Sequence, residues 1–171
     1  EELAEVLIRG IDKSPAAKKR PLKEKLGAVL ADRLARYDEA KAIFDELLEE
    51  NPNNRQAKQY KQRILAQSGD FPELLGMYEK EKNLPGLLRF LDEYRKKEED
   101  EGRARAAGME MHRIASKVLK DKNRASQILE SLLEQFPDDA GVARMLLASY
   151  PKKREDLDVA RALGVIADNA E

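Results

Sequence analysis

The segment Tyr37-Asp38-Glu39-Ala40-Lys41-Ala42-Ile43-Phe44-Asp45-Glu46-Leu47-Leu48-Glu49-Glu50-Asn51-Pro52-Asn53-Asn54 decides how the rest of the chain is read. Ala40, Ile43, Phe44, Leu47 and Leu48 fall at i, i+3, i+4, i+7 and i+8, which is one apolar stripe on a helix whose other positions are mostly charged. Pro52 then stops the helix, because proline pushes the residue before it out of helical geometry.

The same pattern recurs. Ala125, Ile128, Leu129, Leu132, Leu133 and Phe136 make a matching stripe, closed by Pro137-Asp138-Asp139. In both segments the small residue stands 12 positions before the proline. Leu3, Leu7 and Ile11 with Pro15 form a weaker copy; Leu74, Leu75 and Tyr78, and Leu157, Ala160 and Leu163, are copies without the proline. Taking Leu3, Ala40, Leu74, Ala125 and Ala160 as equivalent gives spacings of 37, 34, 51 and 35. Three of these are one repeat of a helix-pair array, and the fourth has room for an extra helix. Leu84, Leu87, Leu88, Leu91 and Tyr94 supply its stripe.

Partner helices are expected at about 22–35, 54–67, 102–120 and 139–149, with residues 12–21 as the longest polar connection. Nothing reads as a strand. The expectation is a single all-α domain over 1–171, with repeats at about 1–15 (partial), 22–53, 54–83, 102–137 and 139–169 and an extra helix at 84–98. A first residue already inside a helix reads as a piece of a longer protein.

Composition agrees with many thin amphipathic helices: 38% of residues are charged, only 5% are aromatic, and tryptophan is absent. With 32 basic against 33 acidic side chains, no global charge draws in a polyanion. There is no cysteine, hence no disulfide framework and no thiol chemistry. No apolar run approaches the roughly 18 residues that suggest a membrane span. The acidic start Glu1, Glu2 and Glu5 is unlike a secretory leader. The cytoplasm is the expected compartment, with the periplasm open if a leader had been removed.

Leu26-Gly27, Tyr37-Asp38-Glu39-Ala40, Phe44 and Asn51-Pro52-Asn53-Asn54 together closely resemble one tetratricopeptide repeat. In that family the Leu-Gly pair lets two helices approach, the small residue sits at their crossing and the proline breaks between repeats. Gly69-Asp70-Phe71 and the Ala125/Pro137 pair are more degenerate echoes. The latter lacks Leu-Gly and, through Leu119-Lys120-Asp121-Lys122-Asn123-Arg124-Ala125, looks like divergent bacterial arrays with longer first helices. The resemblance implies a right-handed α-solenoid of stacked antiparallel helix pairs, about ten helices in all. Its concave face would be lined by the first helix of each pair and would hold another protein or peptide.

On that register Glu24, Asp32, Gln56, Gln59, Arg63, Glu110 and Lys117 are groove positions; the plain alternative is a set of solvated helix faces. Lys18, Lys19, Arg20 and Lys23, with Lys13 and Lys25 nearby, form a basic patch. It reads as an anionic contact or as a solvated loop, and no aromatics interleave to stack on bases. Gly27-Ala28 stands where family members that clamp chaperone tails carry an asparagine, which argues against that clamp. His112 is the only histidine, so no metal site is expected, and it reads as a packing residue with Met109 and Met111 as gap fillers. No phosphate loop, dinucleotide fingerprint or nucleophile elbow occurs, and neither catalysis nor a cofactor is expected.

The expected function is therefore a scaffold, adaptor or assembly factor. An RNA-binding helical repeat and the substrate-placing region of a larger enzyme are the alternatives. The apolar ends, Leu3-Val6-Leu7 and Leu163-Val165-Ile166, make self-association a further expectation.

Overall fold

Why the described residues fold into helices follows from the punctuation of the sequence as much as from its stripes. A computed structural model describes residues 1–150 and 157–168, and among these there are ten α-helices and no strand. In order they are α1 (Glu2–Lys13), α2 (Ala16–Asp32), α3 (Tyr37–Glu50), α4 (Arg55–Ser68), α5 (Phe71–Lys80), α6 (Leu84–Lys97), α7 (Glu101–Arg113), α8 (Lys122–Gln135), α9 (Ala140–Ser149) and α10 (Leu157–Asp168). A five-residue π-helical turn, Ile114–Val118, extends α7. Asn54, Asn83, Asp100, Asp121 and Asp139 each cap the following helix by accepting a backbone N–H bond. Such side chains answer donors that a helix start leaves unpaired. Gly69 closes α4 at φ 75°, a left-handed geometry that costs glycine least.

Two compact units divide the chain at Leu74 and Leu75, within α5. In the first, α1 packs on α2, α2 on α3 and α3 on α4. Its core is Ala4, Leu7, Leu26, Leu30, Ala31, Ala40, Phe44, Leu47, Ala57 and Ile64. Each fully buried leucine, isoleucine or phenylalanine there contributes about 1.5–3 kcal/mol. In the second unit α6 packs on α7, α7 on α8, α8 on α9 and α9 on α10. Its fully buried residues include Leu87, Leu91, Ile114, Leu129 and Leu132. Among the described residues no helix is long and apolar enough to cross a membrane.

Several expectations need correcting. The connection at 12–21 is really two residues, Ser14 and Pro15, and α2 begins at Ala16 rather than 22. Ala16-Ala17-Lys18-Lys19-Arg20 are good helix formers, so they override Pro21. The proline removes one hydrogen bond near the helix start and leaves the carbonyl of the exposed Ala17 to solvent. The expected helix over 102–120 is α-helical only to Arg113. At the two ends the positions equivalent to Ala40 are shifted. Leu3 is 46% exposed while Ala4 is buried, and Ala160 is exposed while Ala162 is buried. The side chain of Leu157 and the end of the expected last repeat at 169 lie outside the described residues.

Candidate protein-binding surface

Helices α2 and α4 are the first helices of two successive pairs, and most of the expected groove residues fall on them. Asp32, at the last turn of α2, forms an ion pair with Arg63 of α4 and accepts a hydrogen bond from the Tyr60 hydroxyl at 3.3 Å. The Arg63 guanidinium carbon lies 4.7 Å from the centroid of the Tyr60 ring, within cation–π range. Behind it Tyr60 stacks on the fully buried Phe44 at 4.8 Å, so the exposed cation is anchored to the core through two rings. The Arg63 Nε is buried without a hydrogen-bond partner. Burial, followed by the charge of Asp32, pushes the Tyr60 phenol up from its ordinary value, and the hydroxyl stays protonated at neutral pH. Gln56 and Gln59 are exposed on the same helix.

The remaining expected residues are placed differently. Glu24 is turned into the fold: its carboxylate accepts from Asn54 Nδ2 at 2.9 Å and pairs with Arg20 at 3.3 Å. Asn54 in turn caps α4 through Ala57 N–H, so Glu24 braces a helix start. In the second unit Glu110 forms a two-pronged pair with Arg113, both bonds 2.7 Å, with its side chain only 10% exposed. Lys117 is exposed on the π-helical turn. Thus Asp32 and Arg63 are brought into contact, Gln56 and Gln59 are exposed on the same helix as Arg63, and Glu24 and Glu110 are occupied by bonds within the fold.

The basic patch lies on α2 rather than in a loop. Lys18 is exposed and Lys19 half-buried. Arg20 is paired with Glu24, and Lys23 bonds Glu46 at 2.6 Å and Glu50 at 3.0 Å on α3. Two of its four cations are therefore neutralised by the fold. His112 is half-buried; burial and then Lys117 hold its imidazole below the ordinary value, so it is neutral at pH 7. Among the described residues no group of three or more His, Cys, Asp or Glu side chains is placed to hold a metal ion.

Tyr60 was missed by sequence reasoning because a lone aromatic in a helix reads as core. Its signal was the spacing to Arg63, three residues on and therefore on the same helix face. The residues that carry the family pattern also have a geometric meaning: a Cβ on Gly27 would lie 2.7 Å from the Phe44 ring. Residues 25–54 and 102–139 match the family model for the tetratricopeptide repeat. No curated protein and no solved structure matches the chain significantly. Repeats of this type generally mediate protein–protein interaction.

Proposed function

We propose, from the premise that this chain is a tetratricopeptide repeat protein, that it is a non-catalytic interaction module that holds a peptide segment of another protein against α2 and α4 of its first unit. The observation that carries this reading is the Asp32–Arg63–Tyr60 group. Arg63 keeps 42% of its side chain exposed while its position is fixed by an ion pair and a ring. Arginine and tyrosine held rigidly at a surface lose little entropy on binding, which is why such residues dominate interface energetics. Gln56 and Gln59 add neutral donors and acceptors that suit the backbone of an extended peptide.

Selection of a random peptide library on the full chain tests it. Selected peptides, measured by fluorescence anisotropy, should bind about tenfold or more weakly to Arg63→Glu. Affinity unchanged by Arg63→Glu, or a selection that enriches nothing, rejects the assignment. The RNA reading has its own arm: a salt-dependent mobility shift of a mixed-sequence RNA would favour it.

A further inference from the structure

A cleft in the second unit lies between α6 and α8, with Met111 of α7 in its floor and a cavity volume of about 290 Å³. Leu88, Met111 and Ile128 make the floor apolar. Among the described residues its polar wall holds four cations, Arg89, Arg95, Lys96 and Arg124, against one carboxylate, Asp92.

That carboxylate is already shared. Arg95 Nε donates to Asp92 at 3.0 Å and Lys96 Nζ donates to it at 2.6 Å. Arg95 is 3% exposed, and its other donors reach across to α8, to Ser131 Oγ at 2.7 Å and Gln135 Oε1 at 2.5 Å. Gln135 returns a bond to the Arg95 carbonyl at 3.3 Å. A buried cation is tolerated only when its hydrogen bonds are met, and here meeting them ties α6 to α8. These bonds fix α6 against α8 along one wall of the cleft, and the charge of the described lining is left unbalanced. Arg89 is exposed, Arg124 is half-buried, and neither pairs with a carboxylate among the described residues.

We infer that this cleft docks an acidic helical segment of a partner protein, a leucine-type side chain entering over Leu88, Met111 and Ile128 while carboxylates meet Arg89 and Arg124. Charge complementarity selects the acidic partner, and the apolar floor selects a peptide over a nucleic acid, since among the described residues no aromatic ring lines the cleft to stack on a base. The volume is at the lower limit of about 300 Å³ for small-molecule sites, which suits one anchoring side chain better than an enclosed ligand. An amphipathic helix reads such a groove through anchors spaced three and four apart. This site shares with the proposed function only the premise that the chain binds proteins. Arg63 lies in the other unit, so failure of one assignment leaves the other standing.

The test uses the full chain, labelled with nitrogen-15. The probe is a synthetic amphipathic peptide of about four turns, with leucines three and four apart and Asp or Glu elsewhere. Titration should shift the amide signals of Leu88, Arg124, Ile128 and Ser131, and raising the salt should weaken binding. Arg89→Glu with Arg124→Glu should reduce affinity about tenfold or more. Arg89 is exposed and Arg124 half-buried, and an unchanged spectrum elsewhere shows that the variant is folded. The proposal is overturned if the shifts map to α2 and α4, or if the reversed charges leave affinity intact. It also fails if a leucine-free polyglutamate of equal length binds as well, or if a short RNA displaces the peptide from the same residues.

Discussion

The two repeats at 25–54 and 102–139 solve one packing problem with different parts. In the first, Gly27 of α2 lets Phe44 of α3 approach so closely that a Cβ would meet its ring at 2.7 Å. In the second, Gly108 of α7 does the same for Leu132 of α8, where a Cβ would come within 2.2 Å of a methyl. By the Ala40 and Ala125 register, Leu132 corresponds to Leu47, one turn beyond Phe44. The later repeat is longer between glycine and alanine, and the π-helical turn at Ile114–Val118 lies in that added stretch. Each repeat also ties its closing cap back to its first helix. Asn54, two residues after Pro52, donates to Glu24, three residues before Gly27. Asp139, two residues after Pro137, accepts from Arg105, three residues before Gly108. The link is kept while donor and acceptor change sides. What the two repeats share is a set of positions in space, and the chemistry at each differs.

The most severe test of that comparison is core truncation. Phe44→Ala should cost about 3–5 kcal/mol and Leu132→Ala about 2–5 kcal/mol in urea unfolding of the full chain. A negligible cost for either would remove its glycine's reason for being there. Next come the glycines. Gly27→Ala should destabilise by about 2 kcal/mol, since the Phe44 ring is pinned against Tyr60 at 4.8 Å and cannot retreat. Gly108→Ala should cost nearer 1 kcal/mol, because the methyl it meets ends a rotatable chain and alanine favours the helix. Equal costs would mean that ring rigidity does not separate the repeats.

Smaller effects probe the exchanged link. Arg105→Glu alone should lose about 1 kcal/mol, and adding Asp139→Asn should recover most of it by installing the first repeat's acceptor and donor in the second. No recovery would show that the two links are not equivalent. The weakest signal is in pH. A hydrogen bond from Arg105 holds the Asp139 carboxyl below its ordinary value, and one from Arg103 holds Glu98 down to about 2. A depressed folded-state value gives stability that is whole above the ordinary carboxylate range and lost as pH falls through the depressed one. Amide protection at Val142, capped by Asp139, should therefore fall in acid when corrected for intrinsic exchange, while Ala57, capped by the non-titrating Asn54, keeps more of its own.

The first repeat was legible because its signals are local: a stripe, a Leu-Gly pair and a proline break lie within one short stretch. The second kept its stripe and proline, but its glycine was hidden by the longer first helix, which shifts Gly108 out of the expected register. The polar run at 12–21 reads as a connection, yet Pro21 lies inside α2, where the helix-forming stretch before it carries the helix across the lost hydrogen bond. At the two ends Leu3 and Ala160 misled because a stripe read from sequence fixes a helix face only to within one or two residues, and Ala4 and Ala162 take the buried places. For the surface, sequence placed Asp32 and Arg63 on facing helices but could not see that Glu24 and Glu110 are consumed by neighbours. That information is long-range for Glu24, whose partner is 30 residues away. Arg95 went unnoticed for the same reason, its partners on α8 being 36 and 40 residues on.

One further group in the first unit joins α3, α4 and α5. Lys41 bonds Asp45 at 3.1 Å and Glu73 at 2.9 Å; Lys61 bonds Glu73 at 2.6 Å and also Asp45. Burial acts to raise the Glu73 carboxyl, but the two lysines win and hold it below its ordinary value. Signs alternate around this closed ring of four, so it sums to zero and projects little field beyond its own width. Its members are therefore bound by parity. Replacing any one by a neutral residue leaves two like charges facing a single opposite one, whereas removing one lysine with one acid keeps the sum at zero. Neutralising one lysine together with one acid should therefore cost the first unit less than neutralising either one alone.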